Sequence, residues 1–313
     1  MTRAPWRRAL ALTLALGLAV TAAACGDDDD EAGGDQDVAA VEGPTIRIAP
    51  QDFAEAKTLT EVYAQYLEAK GFDVDVQAPN GFRDQVYPAL EDDDLDLIID
   101  YTGSAARFLN PDVDSSADSD ATHAALQQEL SGRGLQAAQY SPAEDKNALV
   151  ALKTFSDEQQ LVNISDLAKL GTVKLGGAED CREREDCYLG YTDPAVYGLT
   201  VEFTALEYGP ALTEALEAGV IQVAQYQTTA PQIASGDFIV LTDDKGLLSA
   251  DNIVPVLRTD IAEEYDGELV AALDDLSALL TTEDLIEWNV QTDIDHEEPA
   301  EVATAWLTEK GLI

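Results

Sequence analysis

The residues with the greatest chemical reach are three cysteines (Cys25, Cys181, Cys187), two histidines (His123, His296) and many carboxylates, 61 Asp and Glu against 18 Lys and Arg. Cys181 and Cys187 bracket the short charged segment Arg182-Glu183-Arg184-Glu185-Asp186. In an exported chain such a pair reads as a local disulfide. A zinc site is the rival, but two thiols and two scattered histidines make a poor source of four ligands. Asp112, Asp114, Asp118 and Asp120 lack the glycine and closing glutamate of a calcium loop. Asp92-Asp93-Asp94 reads as a solvated loop before a strand, and His123 as a surface residue in a polar helical stretch. There is no phosphate-binding glycine loop, no G-x-S-x-G elbow and no H-E-x-x-H. Carboxylate pairs are expected by chance at this composition. The expectation is a protein that is not an enzyme and that uses no cofactor and no metal.

The N-terminus says where such a chain works. Met1 to Arg8 is short and basic, Ala9 to Val20 is largely apolar, and Thr21-Ala22-Ala23-Ala24 precedes Cys25. This is the layout of a secretory signal peptide over 1–24, too short for a membrane span. Small residues followed by cysteine resemble the lipobox of bacterial lipoproteins, which implies lipidation of Cys25 and anchoring on the outer face of the cell membrane. The alternative is an ordinary signal peptide with a chance cysteine. Residues 25–44, with Asp27-Asp28-Asp29-Asp30-Glu31, are acidic and glycine-bearing and read as a solvated tether. A formal net charge of −43 argues against nucleic acid as a partner, and against anionic lipid beyond the anchor. One reading of so acidic a surface is adaptation to high salt.

The elements that must position any site lie after Pro44. Ile46-Arg47-Ile48 is strand-like, Leu59, Val62, Tyr63 and Tyr66 recur at helical spacing up to Gly71, and Phe72 to Val76 alternates as a strand does. A helix over Val86 to Leu90 and a strand over Leu95 to Ile99 complete a first α/β unit. A second series has strands over Ala148 to Leu152, Thr172 to Leu175, Val220 to Ala224 and Phe238 to Leu241. Its helices run from a cap at Ser165 to Leu170 and over Leu212 to Ala218. The C-terminal part is helical over Leu269 to Leu280, Leu285 to Asn289 and Val302 to Lys310. This alternation predicts doubly wound, largely parallel α/β sheets. Two such units suit a two-lobed protein that binds a ligand where strand ends face a cleft.

Ordered blocks of the chain resemble one family. Ile48-Ala49-Pro50-Gln51-Asp52-Phe53-Ala54-Glu55 is similar to the first strand and "NFTEQ" loop of the OpuAC-like, osmoprotectant-type substrate-binding proteins. Gly81-Phe82-Arg83 with Pro88-Ala89-Leu90, and Asp100-Tyr101-Thr102-Gly103-Ser104, resemble its "G-x-R…AL" and "YTGT" segments. Ile164 to Ala168, Leu175-Gly176-Gly177, Tyr197-Gly198-Leu199, Val240 to Gly246, Asp284 to Asn289 and Pro299 to Leu307 follow in family order. The cysteine pair, followed by Gly190, resembles a variant of the family. The resemblance implies a two-lobed, type II-like periplasmic-binding-protein fold with the ligand cleft between lobes. Lobe one would be 45–141 plus 252–313, and lobe two 142–251.

It also implies an importer subunit for a small quaternary ammonium compound or zwitterion such as glycine betaine, choline or carnitine, working with an ABC permease and its ATPase. A trimethylammonium group donates no hydrogen bond and is held by aromatic faces; a carboxylate wants Arg, hydroxyl or backbone donors. Tyr101 matches a cage tyrosine, Ser104 a neighbouring position that varies with substrate, and Thr102 and Arg83 are donors nearby. Asp52, Phe53, Thr228 and Asn252 complete the candidate lining. Other cage positions depart: Asn147 replaces the tyrosine of "NTYAL", Gln227 the aromatic of "YSTD", and Asp251 the tyrosine of "PPY", while Ala56 replaces the glutamine of "NFTEQ". A shift of one residue would bring Tyr226 to the second of these. Asn147, Gln227 and Asp251 suit a ligand that forms hydrogen bonds as well as carrying positive charge; alternatively Gln227 and Asp251 only line the cleft mouth. A betaine-like histidine or amino-acid derivative is a second solute class. Outside transport, a ligand-sensing lipoprotein or a secreted enzyme on this fold remain as alternatives.

Overall fold

The computed structural model describes residues 39–79, 81–113 and 116–313. Cys25, the signal peptide, most of the tether and Asp114 lie outside them. Two five-stranded sheets organise the chain. The first contains β1 (Ile46–Ile48), β2 (Val74–Val76), β3 (Leu97–Tyr101), β4 (Leu135–Ala137) and β10 (Ile253–Arg258), in the order β2-β1-β3-β10-β4. The second contains β5 (Asn147–Leu152), β6 (Thr172–Gly177), β7 (Thr200–Ala205), β8 (Val223–Gln227) and β9 (Phe238–Val240), in the order β7-β6-β8-β5-β9.

The sheets are mixed, which refines the expectation of largely parallel ones. β1 runs parallel to β2 and β3, but β10 runs antiparallel to β3 and β4. Likewise β6 is parallel to β7 and β8, and β5 antiparallel to β8 and β9. Each antiparallel strand enters its sheet where the chain crosses from one sheet to the other. The crossing segments pair with one another through an antiparallel bridge between Glu144 and Asn252.

Local sequence accounts for the elements of the first sheet. In the helix Ala54–Ala69 the residues Leu59, Val62, Tyr63, Tyr66 and Leu67 are buried, a helical stripe laid against the sheet. The helix stops at Gly71, whose positive φ of 94° favours glycine; a Cβ there would also meet the Ala39 carbonyl oxygen at 2.5 Å. β3 and β10 are buried along their whole length because both faces are covered. Leu97, Ile99 and Tyr101 face a core with Tyr63, Trp288 and Trp306, whereas Ile98 faces one with Val86, Leu90 and Val254. The two-residue period thus sends Asp100 and Tyr101, at the end of β3, to opposite faces.

Two local expectations shift. The strand read over Val220 to Ala224 is β8, three residues later, because Gly219 has a positive φ and Val220 closes the turn. The segment Ile164–Leu170 is a 3₁₀ helix whose N-cap is Asn163, not Ser165; Asp166 accepts from the backbone N–H groups of Val162 and Asn163.

Candidate functional site

A cleft of about 1160 Å³ lies at the carboxyl ends of the parallel strands. The segment after β1 contributes Gln51, Phe53 and Glu55; the end of β3 and the following helix contribute Tyr101, Ser104 and Arg107. Arg184 and Asp186 enter from the cysteine-bounded loop after β6, Tyr208 from the loop after β7, and Gln227 and Thr229 from the end of β8. Asp145 and Asp251 sit on the two crossing segments, and Asn289 closes the helix Thr282–Asn289.

Of the residues singled out in the sequence, Phe53, Arg83, Tyr101, Ser104, Asn147, Gln227 and Asp251 line this cleft. The other four do not. Asp52 is exposed and pairs with Lys57 at 2.7 Å. Thr102 and Asn252 are buried and bind each other: Asn252 N–H donates to Thr102 Oγ1, and Thr102 N–H to the Asn252 carbonyl. Thr228 donates to the Glu144 carbonyl and accepts from Lys146 N–H. Thr102, Asn252 and Thr228 therefore tie down the crossing segments; Asn252 Nδ2 donates to the Ser141 carbonyl, while its Oδ1 is buried without a partner among the described residues.

Asp100 organises one wall. Its carboxylate accepts from Arg83, Tyr87, Gln51 and the Tyr101 backbone N–H. Arg83 is held by this pair, so its guanidinium is a fixed part of the wall. It lies 5.9 Å from the centroid of the Tyr101 ring, and Phe53 stacks on Tyr101 at 6.2 Å. Tyr101 Oη donates to Glu55 Oε1 at 2.6 Å. Burial and then the Glu55 charge push the Tyr101 hydroxyl far above its usual pKa, so it remains a donor.

Glu55 is the start of an acidic chain that sequence reading passed over. Asn289 Nδ2 donates to Glu55 Oε2 at 2.6 Å and to the Thr229 carbonyl at 3.1 Å. Thr229 Oγ1 donates to Asp145 Oδ1 at 2.8 Å. Burial raises the Glu55 carboxyl against the hydrogen bonds of Tyr101, Asn289 and Thr229. Burial, and then the charge of Glu55, push Asp145 well above the usual carboxylate range. Asp251 is raised by burial too, but Ser104 donates to it through both N–H and Oγ, and Arg83 and Arg107 favour its charge.

On the opposite wall Asp186 is bound by Arg184 and by Asn147 Nδ2, the latter at 2.7 Å. Burial works against its charge, yet Arg184 holds the Asp186 carboxyl below the usual range. A disulfide between Cys181 and Cys187 closes the loop that carries both residues. Arg107 donates to Ser249 Oγ and has no carboxylate in ion-pair range among the described residues. It is the cleft's available guanidinium.

The aromatic content differs from the sequence expectation. Gln227 is paired across the sheet with Asn147, and Tyr226 with Ala148, so Tyr226 shares a face with Ala148, Leu212 and Leu216. Its hydroxyl bonds Thr213. The register gives Gln227, not Tyr226, the place opposite Asn147, yet Tyr226 also lines the cleft. Tyr208, which packs edge-on to Tyr226 at 5.9 Å, is the aromatic of this wall that sequence reading missed. Its only signal was a tyrosine in a Gly-Pro turn at a strand end.

The family model described as the substrate-binding domain of an ABC-type glycine betaine transport system matches residues 44–309. A glycine-betaine-binding protein of Pseudomonas aeruginosa is 25% identical over 284 residues, 86% of this chain and 89% of that one. An ergothioneine transport permease/ergothioneine binding protein of Helicobacter pylori is 25% identical over 279 residues, 87% of this chain but 49% of the relative. A solved structure of a glycine betaine/carnitine/choline ABC transporter superposes with a TM-score of 0.78, covering 87% of this chain and 99% of that one at 20% identity. That likeness bears on the fold alone: an α/β architecture with two five-stranded sheets.

Proposed function

The chain belongs to the family of substrate-binding domains of ABC-type glycine betaine transport systems, and from that premise we propose that its cleft receives a small quaternary ammonium compound or zwitterion. The carrying observation is the composition of the cleft. Tyr101 and Phe53 offer aromatic faces beside the carboxylates Glu55, Asp145 and Asp251, while Arg107 forms no direct ion pair among the described residues and acts on Asp186 and Asp251 only through its field. A cation suits the first group and a carboxylate the second. Likeness to relatives named for glycine betaine supports a betaine; likeness to the ergothioneine protein, together with Asn147 and Gln227, favours a histidine-derived betaine as second reading.

In this reading the lobes are 45–141 plus 252–313 and 142–251, hinged at the segments bridged by Glu144 and Asn252. Cys25 carries the lipid that keeps the protein beside its permease and ATPase. Calorimetry of the protein against glycine betaine, choline, carnitine, proline betaine and ergothioneine tests the ligand. At least one should bind saturably without turnover, and Tyr101→Ala should weaken it by about tenfold or more. Unchanged affinity would remove Tyr101 from the site, and silence across the panel would remove the ligand class.

A further inference from the structure

The cleft's acceptors do not match a fully alkylated cation. Glu55 is satisfied at both oxygens by Tyr101 and Asn289. Asp251 is satisfied by Ser104 and lies in the field of Arg83 and Arg107. Asp145 is not. It accepts from Thr229 alone, forms no ion pair among the described residues, and faces the cleft from the crossing segment.

A second unsatisfied group stands beside it. Asn289 is 6% exposed, and both contacts of its Nδ2 are with oxygens, Glu55 Oε2 and the Thr229 carbonyl. This fixes the amide orientation, so Oδ1 is an acceptor, and it has no donor among the described residues. Thr229 touches both Asp145 and Asn289, which puts the cleft-lining Asp145 and the enclosed Asn289 Oδ1 on one short chain of hydrogen bonds. A trimethylammonium group leaves such acceptors unmatched. The aromatic faces of the cleft, among them Phe53, Tyr101, Tyr208 and Tyr226, attract any cation but supply Asp145 with no donor. Asn147, Gln227 and Asp251 add polar groups to the same lining.

We infer that the cleft selects a cation that still carries an N–H, a protonated primary to tertiary amine, over its fully methylated counterpart, and that Asp145 receives that N–H. The inference rests on the reading of the cleft as the solute site and sharpens its chemical class. An ammonium N–H placed at Asp145 makes a charge-assisted hydrogen bond in a partly desolvated site, where such bonds are strongest.

The test compares pairs that differ only by N–H against N–CH₃: N,N-dimethylglycine with glycine betaine, and N,N-dimethylethanolamine with choline. Calorimetry on the protein should give the N–H member an affinity about tenfold or more above its partner in any pair that binds. Asp145→Asn should collapse that ratio toward one, with its melting temperature checked to show that the fold is intact. Equal or tighter binding of the quaternary member overturns the inference and leaves the cleft's role standing. A ratio that survives in Asp145→Asn overturns the assignment to Asp145. No binding by any member at about 10 mM overturns both the inference and the betaine reading.

Discussion

Glu55 and Asp145 set a pH dependence that can be signed. Both carboxyls lie above their ordinary range in the folded protein, by burial first; each is also raised by a neighbouring charge, Asp293 for Glu55 and Glu55 for Asp145. The groups facing them are Tyr101, Asp100, Asp251 and Asp293, with Arg83 and Arg107 acting on Asp251 and His296 on Asp293. A raised carboxyl makes the folded state hold more protons than the unfolded one, so stability falls as pH rises from the ordinary carboxylate range through the raised one. Asp186 and Asp284 are lowered, so their contribution is present above the ordinary range and lost only as pH falls below it. The ligand-free protein should therefore melt highest in mild acid and lose stability toward neutral pH, and Asp145→Asn should flatten that decline. Melting curves between about pH 4 and 8 measure it; a flat or rising profile in the unsubstituted protein would remove the shared burial of this pair. Sequence reading reached Tyr101 and Arg83 because each stands in a recognisable segment. It passed over Asp145 because a buried carboxylate looks like a surface one among 61.

Elements were legible where one period dominates. The helix Ala54–Ala69 and the buried run of β3 show themselves in their apolar spacing. β10 does not, because Pro255 sits inside a central strand, where a missing N–H argues against a strand. There the proline carbonyl still accepts from Ala138 N–H. β7 is an edge strand with exposed and half-exposed residues, which sequence reading passed over although Thr200-Val201-Glu202-Phe203 alternates polar and apolar. The cysteine loop was legible as a disulfide, but its purpose was not: only the fold shows that it carries Arg184 and Asp186 into the cleft, with Asn147 bound to Asp186. Cys181 and Cys187 are both buried against Tyr191 and Leu248, so the bridge also belongs to the core of the second sheet. Replacing both cysteines by serine should cost about 2–3 kcal/mol, read from urea unfolding. It should also weaken ligand binding, because the loop then holds Asp186 less firmly. Lost stability with unchanged affinity would leave the bridge a purely structural role.

At the scale of the molecule, the formal charge of −43 acts on both folding and binding, and in opposite senses. With 61 acidic and 18 basic side chains, most carboxylates have no cation to pair with, and folding brings them closer together. Salt shortens the reach of that repulsion from about 10 Å at 0.1 M to about 3 Å at 1 M. The folded state is the more compact one, so it gains more from screening, and the melting temperature should rise with KCl over this range. A cationic solute approaching a cleft lined by Glu55, Asp145, Asp186 and Asp251 is drawn by the same field. Its affinity should fall with KCl, but less steeply than the stability rises, because the contacts inside the cleft are within a few Å and partly desolvated. Stability and affinity moving in opposite directions would separate the global field from the local site. A melting temperature indifferent to KCl would mean that the surface carboxylates are too well solvated to repel, and the acidic composition would then carry no advantage in salt.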